Sequence, residues 1–286
     1  MGVAGVAAAA GEWRTPGHIG QTVAAFVRRD WAIARSYRLN LVLEVGSIAF
    51  TLGMFFFLGR LVDGAGAGRM DQALAHGYFA FAAVGQAVLR VVQVGTSSIA
   101  SRLRTEQTTG TLETLLTSAA PTSLVILATG AFDLLFAVAS GVVTLALAAL
   151  LGMHLGATPA SATAVLLVGL PAMVALFAAL GVAVAAFVMV FKQGAALVGL
   201  TTSVLALLCG VFFPVGTLPR PLGSIAELLP LTWVLDVLRA GLLDGRVDWA
   251  HLGLLLGSAA LLLPASLLLF QAATRVARRR GTLAQY

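Results

Sequence analysis

Six long apolar runs, at residues 41–61, 74–101, 122–151, 163–191, 195–213 and 250–273, leave this chain little choice of solvent. A hydrocarbon core about 30 Å thick takes about 20 apolar residues per crossing helix, and every run but one meets or exceeds that length. Backbone N–H and C=O groups have no water to bond inside lipid, so each run must satisfy its own, which an α-helix does. The runs are too long and too uniformly apolar for the alternating strands of a membrane barrel. Composition agrees: 59% of residues are hydrophobic and only 10% charged, with a mean hydropathy of +0.96. The reading is an all-α integral membrane protein with six transmembrane helices.

Arginine and lysine placement orients the bundle, because basic flanks are retained in the cytoplasm. With both termini inside, twelve basic residues fall on inner segments, including Arg14, Arg28, Arg29, Arg102, Arg104, Lys192 and Arg278. Five fall outside, namely Arg60, Arg69, Arg220, Arg239 and Arg246, and Arg90 stays within a span. The net charge of +6 therefore belongs to the inner face and points to anionic lipid rather than nucleic acid as its counterpart. One Lys against seventeen Arg in an Ala-, Leu- and Val-rich chain suggests a GC-rich bacterial genome, hence a bacterial cytoplasmic membrane.

Between His18 and Asn40 the pattern turns amphipathic, with Ile19, Val23, Phe26, Ile33 and Tyr37 at helical spacing. Such a helix lies in the inner interface, or serves only as a basic flank that orients the first span. Residues 1–17 read as a flexible cytoplasmic tail and residues 281–286 as a second one. Cys209, the single cysteine, sits in the fifth run and reads as a small buried apolar residue.

The stretch from Phe213 to Asp248 is interrupted by Pro214, Pro219, Pro221 and Pro230. It reads as an outer segment between spans 5 and 6, either re-entrant or a plain connection. Thr232 is positioned to cap a short helix through Leu243, with Asp236 and Arg239 paired at i, i+3.

Chemistry-bearing motifs are missing. There is no G-x-x-x-x-G-K-[ST], H-E-x-x-H, C-x-x-C or G-x-S-x-G sequence, and His18, His76, His154 and His251 are scattered without metal-ligand spacing. No catalytic or metal site is expected on this chain.

Residues 102–121 form a polar island between the second and third runs: Glu106, then Gly110-Thr111-Leu112-Glu113-Thr114-Leu115-Leu116, and Pro121. With Phe212-Phe213-Pro214 and Leu229-Pro230-Leu231-Thr232, this layout resembles the permease subunits of type-2 ATP-binding-cassette exporters from about Thr22 to Arg280. The resemblance implies a permease domain over residues 18–280 that dimerises with an identical or homologous permease and is driven by two separate ATPase subunits. ATP and Mg would be bound by those partners and no cofactor by this chain. The island would be their docking point. Gly110 can reverse the chain after span 2, Thr111–Thr117 would form a short coupling helix with Leu112, Leu115 and Leu116 on one side, and Glu106 and Glu113 would meet basic partner residues. The plainer alternative is a cytoplasmic hairpin with solvated charges.

Two other functions are weighed against this one. An ion-coupled secondary transporter would show several mid-membrane ionisable groups or internal repeats, and an integral-membrane enzyme would show clustered His, Asp or Glu. Within the spans, Arg90 and Asp133 each lie ~16 Å from the inner end of their run at 1.5 Å per residue. They are expected to pair, facing the bundle interior with Gln86 and Gln93 on the same side, whether for packing or for gating. Glu44, nearer the interface, is the poorer partner. Phe50, Phe55, Phe56, Phe57, Phe212 and Phe213 line a route or pack against lipid and neighbouring helices.

Overall fold

The computed structural model describes residues 24, 27, 28, 30–32, 35, 36, 38–64, 74, 76–108, 122–191 and 195–279, and among them every regular element is helical. Helices α1 (Arg38–Gly64), α2 (Tyr78–Thr108) and α3 (Thr122–Leu150) come first. Next, α4 (Pro159–Ala164), a π-helical turn (Val165–Gly169) and α5 (Leu170–Phe191) form one continuous span. Then follow α6 (Ala195–Leu208), a short pair α7 (Arg220–Glu227) and α8 (Pro230–Leu242), and α9 (Trp249–Arg279). Five of these spans are long and apolar enough to cross a membrane.

The most buried helix is α2, with 72% of its apolar window covered against 17% for α1 and 22% for α9. It packs on α1, α3 and α5, while α5 in turn carries α9 along its length. The outer surface is apolar: Phe50 is 79% exposed, Leu61 70% and Leu261 70%. Contiguous surface of that kind is stable only against lipid or another apolar chain. Of the phenylalanines, Phe55 is buried and stacks on Phe212 at 5.4 Å, Phe56 meets Phe79 edge-on, and Phe50 and Phe57 face outward.

The π-helical turn has a local cause. Pro171 has no N–H to offer the carbonyl four residues back, and its ring crowds that carbonyl, so the chain widens by one residue immediately before it. Helix α4 starts on a reciprocal cap in which Thr158 and Ser161 each bond the other's backbone N–H.

Close helix approach is set by Gly95 and Gly181 where α2 crosses α5. A Cβ on Gly181 would stand 2.0 Å from the Gly95 carbonyl oxygen, which is backbone and cannot swing aside. Gly181→Ala should therefore destabilise the bundle by about 1–3 kcal/mol or more through overpacking. Thermal melting in nanodiscs checks this against Gly53→Ala, where a Cβ meets nothing within 4 Å. The Gly53 variant should melt no lower than the parent protein.

The fifth apolar run departs from expectation. Helix α6 has 14 residues, ~21 Å of rise, less than the ~30 Å core. It ends at Gly210, whose φ of +74° is the left-handed conformation that closes helices and suits glycine. The following segment is neither a plain loop nor a straight helix: α7 and α8 meet at 77° across a short break, as a broken span or re-entrant hairpin does.

Prolines initiate these helices rather than merely interrupting them, with Pro221 in the first turn of α7 and Pro230 in that of α8. Thr232 does not cap α8. Its hydroxyl donates to the Ala226 carbonyl at 2.6 Å, and Trp233 Nε1 donates to the Glu227 carbonyl at 2.8 Å. The Ala226 carbonyl also accepts from the Leu229 N–H at 3.0 Å, so these side chains tie the start of α8 to the last turn of α7 and pin the hairpin turn.

Candidate functional site

At the end of the bundle where α2 finishes and α3 begins, Arg102 is the organising residue. Its Nε and Nη2 donate to the two carboxylate oxygens of Asp133 at 2.6 and 2.7 Å, the two-pronged geometry for which a guanidinium is shaped. Its Nη1 lies 2.8 Å from Asp30 Oδ2. Asp30 sits in the helical stretch preceding α1 and is only 5% exposed. One side chain thus joins the N-terminal helical segment to both helices that flank residues 109–121. Gly110, Thr111, Leu112, Glu113, Leu115 and Leu116 lie outside the described residues, as do the apolar positions Ile19, Val23, Phe26, Ile33 and Tyr37, and Glu106 is seen only as part of the last turns of α2.

The expected Arg90–Asp133 pair does not form. Asp133 belongs to Arg102, and Arg90 binds Glu44 of α1 through Nη2 and Oε1. Register explains the error. Asp133 stands level with Arg102, and Arg90 lies twelve residues, ~18 Å, further along α2. Arg90 instead extends its long side chain to the carboxylate on the adjacent helix.

Nor do Gln86 and Gln93 face the interior. Gln86, Arg90, Gln93, Ser97, Ser101 and Arg104 succeed one another at intervals of three and four residues, which places them on one face of α2. None of the six is buried, whereas Val84, Val88, Val91, Val92 and Ile99 on the other faces are. Between Gln86 and Arg104, the most enclosed helix thus leaves uncovered this narrow polar strip, with Val94 and Arg102 beside it. Beside the lower part of the strip, Ser97, Ser101, Arg104, Val188 and Gly199 border a cavity of about 390 Å³.

The opposite end of the bundle holds a cleft of about 560 Å³ between α8, the start of α9 and the turn after α6. Two carboxylate–imidazole groups line it. His76 Nε2 lies 2.9 Å from Asp244 Oδ1, and Asp244 also accepts from Arg246 at 3.0 Å. His251 Nδ1 lies 2.7 Å from Asp248, while its Nε2 is 3.9 Å from Asp236. Burial raises the pKa of Asp248, yet the His251 ring and the amide N–H groups of His251 and Ala250 outweigh it and hold the carboxyl below its usual range.

Arg239 does not bridge to Asp236 as the i, i+3 spacing suggested. Its Nη2 donates to the carbonyls of Phe81, Gly210 and Val211 at 2.9 to 3.3 Å, and the guanidinium covers the Phe81 ring at 3.5 Å. A guanidinium that satisfies the open carbonyls after α6 and stacks on an aromatic face fastens α8 to α2. No group of three or more His, Cys, Asp or Glu placed to hold a metal occurs among the described residues.

Sequence spacing missed this cleft because His76 and Asp244 are 168 residues apart, and only the density of polar residues after Glu227 hinted at it. A family described as ABC-2 type transporter matches residues 21–243, from the N-terminal helical segment to the end of α8. No curated protein sequence matches the chain. With that match spanning most of its length, and with an all-helical apolar bundle beneath it, the chain belongs to the membrane-permease family of ABC-2 type transporters.

Proposed function

We propose that this permease is the pathway-forming half of an ATP-driven exporter, and that the pathway runs along the uncovered polar face of α2. The observation that carries this reading is the strip Gln86, Arg90, Gln93, Ser97, Ser101 and Arg104. A guanidinium and two carboxamides turned toward hydrocarbon would cost several kcal/mol, so intramembrane polar groups face a water-filled cavity or a partner. The apolar faces of α1 and α6 beside the strip, with Val42, Phe50, Leu200 and Val204 exposed, suit a second permease subunit that closes the cavity.

Basic residues orient the Arg102 end to the cytoplasm, with both termini on that side of a bacterial cytoplasmic membrane. Two ATPase subunits, which bind ATP and Mg, dock there on residues 102–121. The Arg102 clasp fits that role, since it ties the N-terminal helical segment to the two helices that hold the docking loop.

Reconstitution with a co-expressed Walker-motif ATPase tests the reading. Hydrolysis and transport should both require the two proteins together. Gly110→Val and Glu106→Lys should lower coupled transport at least about tenfold while membrane insertion is unchanged, a tenfold loss being 1.4 kcal/mol of coupling. Transport by the chain alone, without ATP or partner, would overturn the proposal, and normal coupling in both variants would remove the docking surface.

A further inference from the structure

A second cavity of about 390 Å³ opens between α5, α6 and α9, walled by Leu176, Leu180, Leu205, Leu262 and Leu269. Thr201 and Ser266 bring the only hydroxyls to its lining, and the Ser266 hydroxyl is committed to the Leu263 carbonyl. Its roof is the turn of the α7–α8 hairpin, where Leu229, Pro230 and Leu231 reach down to it. The same turn forms part of the wall of the polar cleft, through Glu227 and Thr232. Helix α6 repeats the arrangement, with Leu205 in the apolar groove and Cys209 in the cleft, four residues or ~6 Å further along. Groove and cleft therefore abut across a single turn of chain.

The groove excludes sugars and bare ions, because it offers their polar groups no partners away from water. It suits a hydrocarbon tail. The cleft sets the head. Glu227, Asp236, Asp244 and Asp248 supply four carboxylates there against the guanidiniums of Arg239 and Arg246. Arg239 is committed to three carbonyls and Arg246 to Asp244. The cationic group nearest to the Asp236 carboxylate is the His251 ring at 3.9 Å, beyond hydrogen-bond reach, and the Asp236 side chain is 41% exposed. A cation is the complement of that surplus.

We infer that groove and cleft together bind a cationic amphiphile, its alkyl tail between α5, α6 and α9 and its ammonium head beside Asp236. This names a substrate class for the exporter reading and rests on it for direction of transport, but binding itself needs no ATPase. The measurement is made at neutral pH.

The test uses the permease in nanodiscs of neutral lipid and three photo-crosslinking probes that share one long alkyl tail and end in trimethylammonium, sulfate or hydroxyl. Labelled peptides are mapped by mass spectrometry. The trimethylammonium probe should label the groove and cleft peptides about tenfold more than the other two, a preference of 1.4 kcal/mol. Asp236→Asn should abolish that preference while leaving tail-dependent labelling. Ala183→Trp, or Leu269→Trp from the opposite wall, should reduce labelling by every probe, and melting of each variant shows that it is folded. Equal or stronger labelling by the sulfate probe, or labelling untouched by the groove-filling variants, overturns the inference. Selective labelling without any ATP-coupled transport would instead reject the exporter reading and leave this site standing. Coupled transport with no head preference would do the reverse.

Discussion

Replacing Arg102 with leucine should be the most damaging single change outside the helix crossings. Asp133 and the nearly buried Asp30 would lose the cation they share. Removing one partner of a buried ion pair costs about 3–5 kcal/mol, and the loss at Asp133, whose side chain is 26% exposed, should be smaller because water compensates part of its charge. The loss should appear as lower yield and a lower melting temperature in nanodiscs, and as hydrolysis that no longer drives transport. Asp30→Asn/Arg102→Gln/Asp133→Asn, which removes all three charges together, should recover most of the stability but not the coupling. Recovery of both would reduce the clasp to packing. A leucine variant as stable as the parent would show that the three side chains are not coupled.

How far the sequence carries is plain at this cluster. The apolar runs locate five long spans to within a few residues, since length and hydropathy are properties of the chain alone. The proline pattern after α6 was legible for the same reason. Register was not. A run boundary marks where apolar residues stop, whereas a helix can run on past it, as α2 does to Thr108, and the register of facing helices is then not the one that run ends suggest. Counting from the run ends placed Asp133 at the middle of the membrane and assigned Arg90 to the wrong carboxylate. Asp30 was invisible for a related reason: in an amphipathic stretch a lone acid reads as solvated, and only the fold shows Arg102 beside it.

The distal cleft fails in another way. Its residues are ordinary loop polars in sequence, and what makes them a site is the 77° bend that folds α7 back on α8, together with His76 from the far side of the chain. Pairing at i, i+3 predicted an Asp236–Arg239 bridge, a local rule worth a few tenths of a kcal/mol. The Gly210 and Val211 carbonyls, left open after α6, and the Phe81 carbonyl of α2 compete for the same guanidinium. Hydrogen bonds from a charged donor are worth about 1.5–3 kcal/mol, so the tertiary partners win.

The strip on α2 supplies the second large effect, at Arg90 and Glu44. Each is partly enclosed, with side-chain exposures of 31% and 22%, so neither reaches bulk water as the other's replacement. Arg90→Leu leaves a carboxylate within the membrane and Glu44→Leu leaves a guanidinium, and each should cost about 2.5–3.5 kcal/mol on the scale of helix insertion. Removing both charges avoids that penalty, so Glu44→Leu/Arg90→Leu should be nearer to the parent in melting temperature than either single variant. Function separates the pair's two possible uses. If the strip lines the pathway, the double variant should fold and still transport poorly, because a polar rung has become apolar. If the pair only locks α1 to α2, transport should return with stability. A double variant less stable than the sum of the singles would mean that Arg90 and Glu44 do not compensate each other, and the membrane would then have to be solvating both.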